Sequence, residues 1–133
     1  MKYKNLRFEI ENNIGNIILD RPESANGITI PLVKELLDVA IKCESGAPVR
    51  VLTLKGEGSI FCAGGDLKVM TEQENLREAI SEMIGILHVA LTKLDHLDTP
   101  LIGGITGTAA GAGLSLVSAC DMAIAGRLSL IHI

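Results

Sequence analysis

Aromatic residues are nearly absent from this 133-residue chain: it has Tyr3, Phe8 and Phe61 and no tryptophan. Too few rings are present to form a platform on which nucleotide bases could stack. The sequence also lacks a run of lysine or arginine, and its formal net charge is −4. The electrostatic footprint of a protein that binds nucleic acid or an anionic membrane surface is therefore missing. We expect neither kind of partner.

A cysteine framework and long apolar runs are missing too. Cys43, Cys62 and Cys120 are odd in number and far apart, with no Cys-x-x-Cys pair, which favours free thiols in a reducing compartment over disulfides or a zinc site. No metal is expected. No uninterrupted apolar run could span a bilayer, and no signal-peptide core follows the charged residues 1–4. We predict a cytoplasmic protein, in which Cys62 is either a reactive thiol or a small buried hydrophobe.

The apolar content, 47% of residues, suffices for the core of one domain. Hydrophobic periodicity and turn residues predict alternating strands and helices. The predicted strands cover residues 6–10 and 17–19 as a hairpin with a turn at 12–15, then 49–54, Leu101–Ile105 and Met122–Ala125. The predicted helices cover residues 30–44 with Thr29 as cap, 66–71, 76–94 and 114–119, and residues 21–27 are predicted to be a loop. The predicted apolar stripe of the long helix consists of Leu76, Ile80, Met83, Ile84, Leu87, Leu91 and Leu94. Strands separated by helices indicate the α/β class.

A glycine turn within SIFCAGGDLK, residues 59–68, is the strongest local signal. An apolar run ends at Cys62, Gly64 and Gly65 follow, and Asp66 can cap the next helix. We expect the backbone of the two glycines to be exposed to close approach. Main-chain N–H groups at such a turn can bind a negative or developing negative charge. The alternative is a purely structural turn between two packed elements.

A second turn, GTAAGAGLSLV at residues 107–117, also follows a strand and begins a helix. Leu116 stands where a dinucleotide fingerprint needs glycine, Val117 stands where a serine-hydrolase elbow needs it, and the Gly-Lys-Ser/Thr of a P-loop is absent. What remains is a backbone N–H near Ala112 that points at a ligand, or close helix–sheet packing. Together the two turns could place two N–H donors on one thioester carbonyl.

FCAGGDLK followed by GTAAGAGLSLVSACDMAIA, with LDRPESANGI near the N-terminus, resembles the enoyl-CoA hydratase/isomerase (crotonase) family over about residues 3–125. The resemblance implies an α/β spiral of repeated β-β-α units, incomplete at the C-terminus, that binds an acyl-CoA substrate and stabilises a thioester enolate. The oxyanion hole would be the N–H groups of Gly65 and Ala112. Residues implied to line the substrate are Ser24, Ala25, Ala63, Asp66, Leu67, Lys68 and Gly111. No separate cofactor is implied, because coenzyme A is part of the substrate, and the full-length parent would be a homotrimer or hexamer.

The sequence departs from the family at two places. Ser115 replaces the glutamate of the hydratases, and a serine cannot act unaided as a general base at neutral pH. This favours an enoyl-CoA isomerase, with a hydratase or a non-catalytic acyl-CoA-binding subunit as alternatives. Family members are also roughly twice as long, and residues 126–133 do not resemble what normally follows. We interpret residues 1–125 as the N-terminal part of the domain and 126–133 as a non-matching tail at a truncation. We expect the chain alone to be inactive, with its proton-transferring carboxylate missing.

Overall fold

The computed structural model describes residues 2–130. The strands are β1 (Leu6–Glu11), β2 (Ile14–Leu19), β3 (Val51–Gly56), β4 (Leu101–Ile105) and β5 (Met122–Ala125). The helices are α1 (Ile30–Glu44), α2 (Leu67–Thr71), α3 (Leu76–Asp95) and α4 (Ala112–Ser118), with a 3-10 turn at Pro22–Ser24. The alternation of strands and helices confirms the α/β class.

The five strands form one sheet in the order β1-β2-β3-β4-β5. β1 and β2 are antiparallel, and every later neighbour is parallel. The hairpin turn consists of Asn12 and Asn13, both at positive φ (52° and 63°), as a tight two-residue hairpin requires. The predicted turn was therefore too long, because Ile14 and Gly15 already pair with β1.

A strand, a short extended segment and a helix recur three times along the chain. The extended segments contain Ile28 after β2, Cys62 and Gly65 after β3, and Ala109 after β4. Parallel bridges join Ile28 to Gly65 and Cys62 to Ala109, so the three segments lie side by side as a second, small layer. This arrangement is the β-β-α spiral that the resemblance implies, and it brings both glycine turns into one place.

The helices α1 and α3 pack against each other over an aliphatic core. The inward stripe of α3 is Ala79, Met83, Leu87, Ala90 and Leu94. The predicted stripe also included Leu76 and Ile84, which are 43% and 41% exposed. That part of the prediction was wrong, because the face toward α1 uses two alanines, whose small side chains let the helices approach closely.

Two element boundaries also differ from the predicted ones. β3 runs from Val51 to Gly56, two residues later than predicted. α4 begins at Ala112 rather than 114, because the Gly113 N–H already donates to the Ala110 carbonyl oxygen in the first helical turn. No helix within residues 2–130 combines the length and apolar character needed to cross a membrane.

Candidate functional site

The two glycine turns touch each other through backbone atoms. The Cys62 N–H donates to the Thr108 carbonyl oxygen (3.2 Å), and the Ala110 N–H donates to the Cys62 carbonyl oxygen (3.0 Å). Gly64 has φ +98°, and a Cβ there would lie 2.9 Å from the Ala110 oxygen and 3.3 Å from the Ala112 nitrogen. Only glycine combines this conformation with such an approach.

Gly113 makes the second close approach. A Cβ at this position would overlap the carbonyl oxygen of Cys62, so the first turn of α4 sits directly against the backbone of the first glycine turn. The alternative interpretation of each turn, close packing between elements, is thus correct for Gly64 and Gly113. Close packing does not explain the N–H groups of the neighbouring residues Gly65 and Ala112.

The Gly65 N–H points away from the segment that holds it. The Ile28 N–H donates to the Gly64 carbonyl oxygen (2.8 Å), and the Ile28 carbonyl oxygen accepts from the Asp66 N–H (2.9 Å). In a parallel bridge of this kind the residue between the two bonded positions directs its own N–H to the opposite side. Within residues 2–130 the Gly65 N–H has no protein acceptor.

The Ala112 N–H is an orphan donor at the start of α4. Gly113 and Leu114 donate to the carbonyl oxygens of Ala110 and Gly111 (2.8 and 3.0 Å). Ala112 itself donates to no acceptor in the part of the chain that the structure describes. Two adjacent turns therefore each present one N–H that is available to a carbonyl oxygen or an anion.

Exposure at the first turn differs from what the sequence predicts. Gly64 is buried and Gly65 is half-buried, so the prediction that both glycines have an exposed backbone was wrong for Gly64. The reason is the packing of the second turn over Gly64. Of the two glycines of the first turn, only Gly65 is open to close approach by a ligand.

Asp66 fixes the turn to the rest of the molecule. Its carboxylate accepts from the Val69 N–H (3.1 Å), which confirms the predicted helix cap, and it pairs with the Arg21 guanidinium at 3.0 Å. The Asp66 and Arg21 side chains are 10% and 14% exposed. The sequence gives no signal for this pair, because its members are 45 residues apart.

Asn26 is a second residue that sequence reasoning missed. Its side chain is fully buried, accepts from the Arg21 N–H (2.8 Å) and donates to the carbonyl oxygens of Glu57 (2.9 Å) and Ile60 (2.8 Å). The sequence predicts only a loop over residues 21–27. An asparagine in such a loop indicates turn chemistry and says nothing about distant partners.

Cys62 lies between the turns with a buried thiol. It is fully buried, and its Sγ donates to the Asn26 carbonyl oxygen (3.2 Å). Burial raises the pKa of the Cys62 thiol to about 11, with a partial opposing effect from the Gly64 N–H. The thiolate needed for nucleophilic chemistry is therefore disfavoured, and the buried-hydrophobe interpretation is confirmed.

Comparison with known proteins decides the family. Residues 9–132 match the profile described as "Enoyl-CoA hydratase/isomerase". The chain belongs to the enoyl-CoA hydratase/isomerase family. This confirms the resemblance seen in the two glycine motifs.

Two curated relatives illustrate the range of this family. The enoyl-CoA isomerase/hydratase fer4 of Mycosarcoma maydis is 36% identical over 121 residues, which cover 84% of this chain and 43% of that protein. A trans-2-decenoyl-[acyl-carrier-protein] isomerase of Streptococcus mutans is 28% identical over 130 residues, covering 94% and 48%. The chain thus spans about half the length of the curated relatives it matches.

A solved structure of the family has the same fold. The crystal structure of an enoyl-CoA hydratase from Mycobacterium smegmatis superimposes with a TM-score of 0.91 at 26% identity. The match covers 98% of this chain and 51% of that one. The crotonase fold is therefore present, again over about half of the longer protein.

The enoyl-CoA hydratase/isomerase motifs also predicted a substrate side. Ser24, Asp66 and Lys68 border one cavity of about 490 Å³, together with Glu23, Val69 and Glu72. Ala25 and Ala63 are neighbours, since the Ala63 N–H donates to the Ala25 carbonyl oxygen (3.0 Å).

The remaining predicted residues are more dispersed. Leu67, the first residue of α2, is 72% exposed and does not line this cavity. Gly111 lies against the first turn, since a Cβ on it would be 3.7 Å from the Gly64 Cα. Ser115 is exposed on α4, less than one helical turn after Ala112. The Ser115 hydroxyl thus lies on the same helix as one of the two available donors.

Proposed function

We propose that this chain supplies the carbonyl-binding part of an enzyme that acts on acyl-CoA thioesters. The observation that carries the proposal is the pair of N–H groups of Gly65 and Ala112, which come from touching turns and have no acceptor among the described residues. The thioester oxygen would accept from both. Backbone donors fixed in this way stabilise the negative charge that develops when the thioester becomes an enolate.

The size of the effect can be estimated from other oxyanion holes. Loss of one donor costs roughly 3 to 4 kcal/mol of transition-state stabilisation. Here the donors are pre-organised, because Gly64 and Gly113 permit backbone contact between the turns. Little reorganisation would accompany charge development, and this is the condition under which such donors are effective.

The coenzyme A portion would lie along the cavity beside α2. Lys68 is the cationic residue among those that line it, and we propose that it contacts a phosphate. Ser24 and Ala25 would lie near the pantetheine and adenine portions. Asp66 would border the cavity, and Ala63 and Leu67 would contact the substrate outside it. Asp66 would act mainly through its cap and its Arg21 pair.

We favour isomerisation of a 3-enoyl thioester over hydration. The enzyme would remove a proton from C2, stabilise the dienolate at the two N–H groups and return a proton at C4. Ser115 supports this choice, because it cannot serve unaided as the base that activates water. The carboxylate that moves the proton would lie outside the two turns. The Streptococcus mutans relative is named as an isomerase, which is consistent with the proposal.

A non-catalytic acyl-CoA-binding subunit is the second candidate function. The observation that favours it is again Ser115, which leaves the position of the family glutamate without a titratable group. Both candidates keep the thioester at the same N–H pair, and they differ in turnover. A cytoplasmic location and a homotrimeric or hexameric parent are further parts of the proposal.

Proline substitutions at the two donors test the oxyanion hole in the complete protein that carries these residues. Gly65→Pro and Ala112→Pro each remove one N–H. Ala112→Pro should fold well, because proline is favoured at the first position of a helix. We expect either variant to lose about 100- to 1,000-fold in kcat and to retain its circular dichroism spectrum.

The assay also separates the candidate functions. Wild type should shift the double bond of a 3-enoyl-CoA and add little water to a crotonyl thioester. Undiminished turnover in a folded Ala112→Pro protein would refute the oxyanion hole. Rapid hydration by wild type would favour a hydratase, and tight binding without any turnover would favour the binding subunit.

A further inference from the structure

The extended segment that carries Gly65 is held along one side by residues 25–28. The Ala63 N–H donates to the Ala25 carbonyl oxygen, and the two bonds of Ile28 flank Gly65 directly. These three backbone bonds determine on which side the Gly65 N–H emerges. The position of that donor therefore depends on the conformation of a loop that does not itself present it.

The conformation of this loop is centred on Asn26. The Asn26 N–H donates to the Arg21 carbonyl oxygen (2.9 Å) while its Oδ1 accepts from the Arg21 N–H (2.8 Å), so the loop is closed reciprocally. Ala25 and Asn26 both have φ 53°. Two successive left-handed residues reverse the chain, and this reversal brings Ile28 alongside Gly65.

The same side chain also holds the approach to the turn. Asn26 Nδ2 donates to the carbonyl oxygens of Glu57 and Ile60 at 2.9 and 2.8 Å, which lie between β3 and Cys62. The Asn26 carbonyl oxygen accepts from Cys62 Sγ. One fully buried residue thus bonds to Arg21 at the start of its own loop and to Glu57, Ile60 and Cys62 before the turn, and both amide hydrogens have acceptors.

We infer that Asn26 is a positioning residue for the Gly65 N–H donor. Because its side chain is fully buried, it acts through its neighbours and not by contact with substrate. It acts by fixing residues 57–62 and 25–28 relative to each other, so that the bonds of Ile28 leave the Gly65 N–H on the side opposite residues 25–28. This inference rests on the proposed function, because a positioned donor matters only if a thioester carbonyl binds there.

Asn26→Asp is the sharpest test, since it preserves shape and the Oδ1 acceptor but removes both amide donors. Asn26→Gly is the second variant, used if the buried aspartate prevents folding. Glycine keeps the left-handed backbone without strain and also removes both amide donors. Asn12→Asp is the matched control, since Asn12 has φ 52° and is exposed in the distant hairpin turn. All variants are made in the complete protein. Binding and activity are measured below the lowest unfolding temperature found among them.

The readout is the ¹³C chemical shift of a bound acyl-CoA whose thioester carbonyl is labelled. Wild type and Asn12→Asp should show the same downfield displacement on binding, whereas Asn26→Asp or Asn26→Gly should lose most of it. The kcat of the Asn26 variants should fall about 10- to 100-fold, the range expected for a misplaced catalytic group. Affinity for an S-alkyl-CoA thioether, which lacks the thioester carbonyl, should not change.

The outcomes distinguish this inference from the proposed function. A folded Asn26 variant with the full displacement and the wild-type kcat would overturn the positioning role and leave the oxyanion hole intact. Absence of a displacement in wild type would refute the proposed function itself. A parallel loss of affinity for the thioether would indicate a general structural role and would also overturn the inference.

Discussion

At the scale of single residues, the contact between the two turns depends on a missing side chain at Gly64. We expect Gly64→Ala to destabilise the protein by about 1 to 3 kcal/mol, the cost of a non-glycine residue in a strained conformation. The new Cβ would also press on the Ala110 oxygen, 2.9 Å away. Urea unfolding of wild type and variant measures the difference.

Gly85→Ala is the matched control, with the opposite expected sign. Gly85 lies in α3, and a Cβ there would have no neighbour within 4 Å. Alanine in a helix interior is more favourable than glycine by roughly 0.5 to 1 kcal/mol. Equal effects of the two substitutions would contradict the special role of Gly64.

Cys62 makes stability depend on pH in the alkaline range. Its pKa is raised from 9.0 to about 11 by burial, so the folded state favours the protonated thiol. The free energy of unfolding is therefore unaffected by this thiol below pH 9. It falls by about 2 to 3 kcal/mol in total as the pH rises through 11. Urea unfolding at pH 8.5 and 11 should therefore differ less in Cys62→Ala than in wild type.

Cys43→Ala provides the comparison for this measurement. The Cys43 thiol is half-buried, and burial raises its pKa as well. Since it is nearer to solvent, its removal should change the alkaline loss of stability less than removal of Cys62. An unchanged alkaline loss in Cys62→Ala would show that this thiol ionises freely in the folded protein.

The residues of the site could be predicted from the sequence only where local chemistry determines them. Gly64 and Asp66 were readable, because a left-handed turn and a helix cap are local requirements. Asn26 and Arg21 were not, since their partners Glu57, Ile60 and Asp66 are more than 30 residues away in the chain. Such partners become visible only when the fold is known.

At the scale of elements, two helix caps allow a direct comparison. The side chains of Asp66 and Asn75 each accept from an N–H three residues later, both at 3.1 Å. Asn75→Ala should cost about 1 kcal/mol, because it removes only a cap. Asp66→Ala should cost about 3 to 5 kcal/mol, since it also leaves the Arg21 guanidinium without its buried partner.

Asp66→Asn separates the two contributions. It retains a cap oxygen and loses the charge that pairs with Arg21, so its stability should fall between those of wild type and Asp66→Ala. Thermal or urea unfolding gives all three values. If Asp66→Ala and Asn75→Ala cost the same, the ion pair contributes nothing.

The predicted bounds of an element were most accurate where a short apolar run alone defined it. β4 and β5 have the predicted bounds. The inward face of α3 was harder to predict, because Leu76 and Ile84 share its apolar pattern but are not covered by α1. Which of two adjacent apolar stripes is buried depends on the neighbouring helix, and the sequence of α3 alone cannot specify that.

At the scale of the whole molecule, the surface around β5 is apolar and open. Met122 and Ile124 are 66% and 70% exposed, and Leu128 and Leu130 are 91% and 58% exposed. Exposed apolar side chains in this number favour association. We expect the isolated 133-residue chain to self-associate and to have no enoyl-CoA turnover.

Lysine substitutions test this expectation. Met122→Lys combined with Ile124→Lys should shift the isolated chain toward monomer in sedimentation velocity. Val89→Lys is the control, because Val89 is an exposed apolar residue of α3, 48% exposed, away from β5. A wild-type chain that is monomeric and active would contradict the expectation.

The α/β class was predictable from the alternation of strands and helices, whereas the β-β-α spiral was expected from the resemblance of the glycine motifs to the enoyl-CoA hydratase/isomerase family. Each of the two glycine motifs requires a strand before it and a helix after it, and two such units in succession generate parallel pairing. The third unit, which contains Ile28, carries neither motif. The contact between the turns could not be derived from either motif alone. It results from the bridges of Cys62 to Ala109 and of Ile28 to Gly65.

The most direct test of the account is the amide proton chemical shift of Gly65 and Ala112 in the complete protein, measured with a bound acyl-CoA thioester and with the matching thioether. Both amide protons should move downfield with the thioester and should not do so with the thioether, while Gly85 in α3 stays unchanged with either ligand. A bound thioester that leaves both amide protons unshifted, or a thioether that shifts them equally, would contradict the two-donor oxyanion hole.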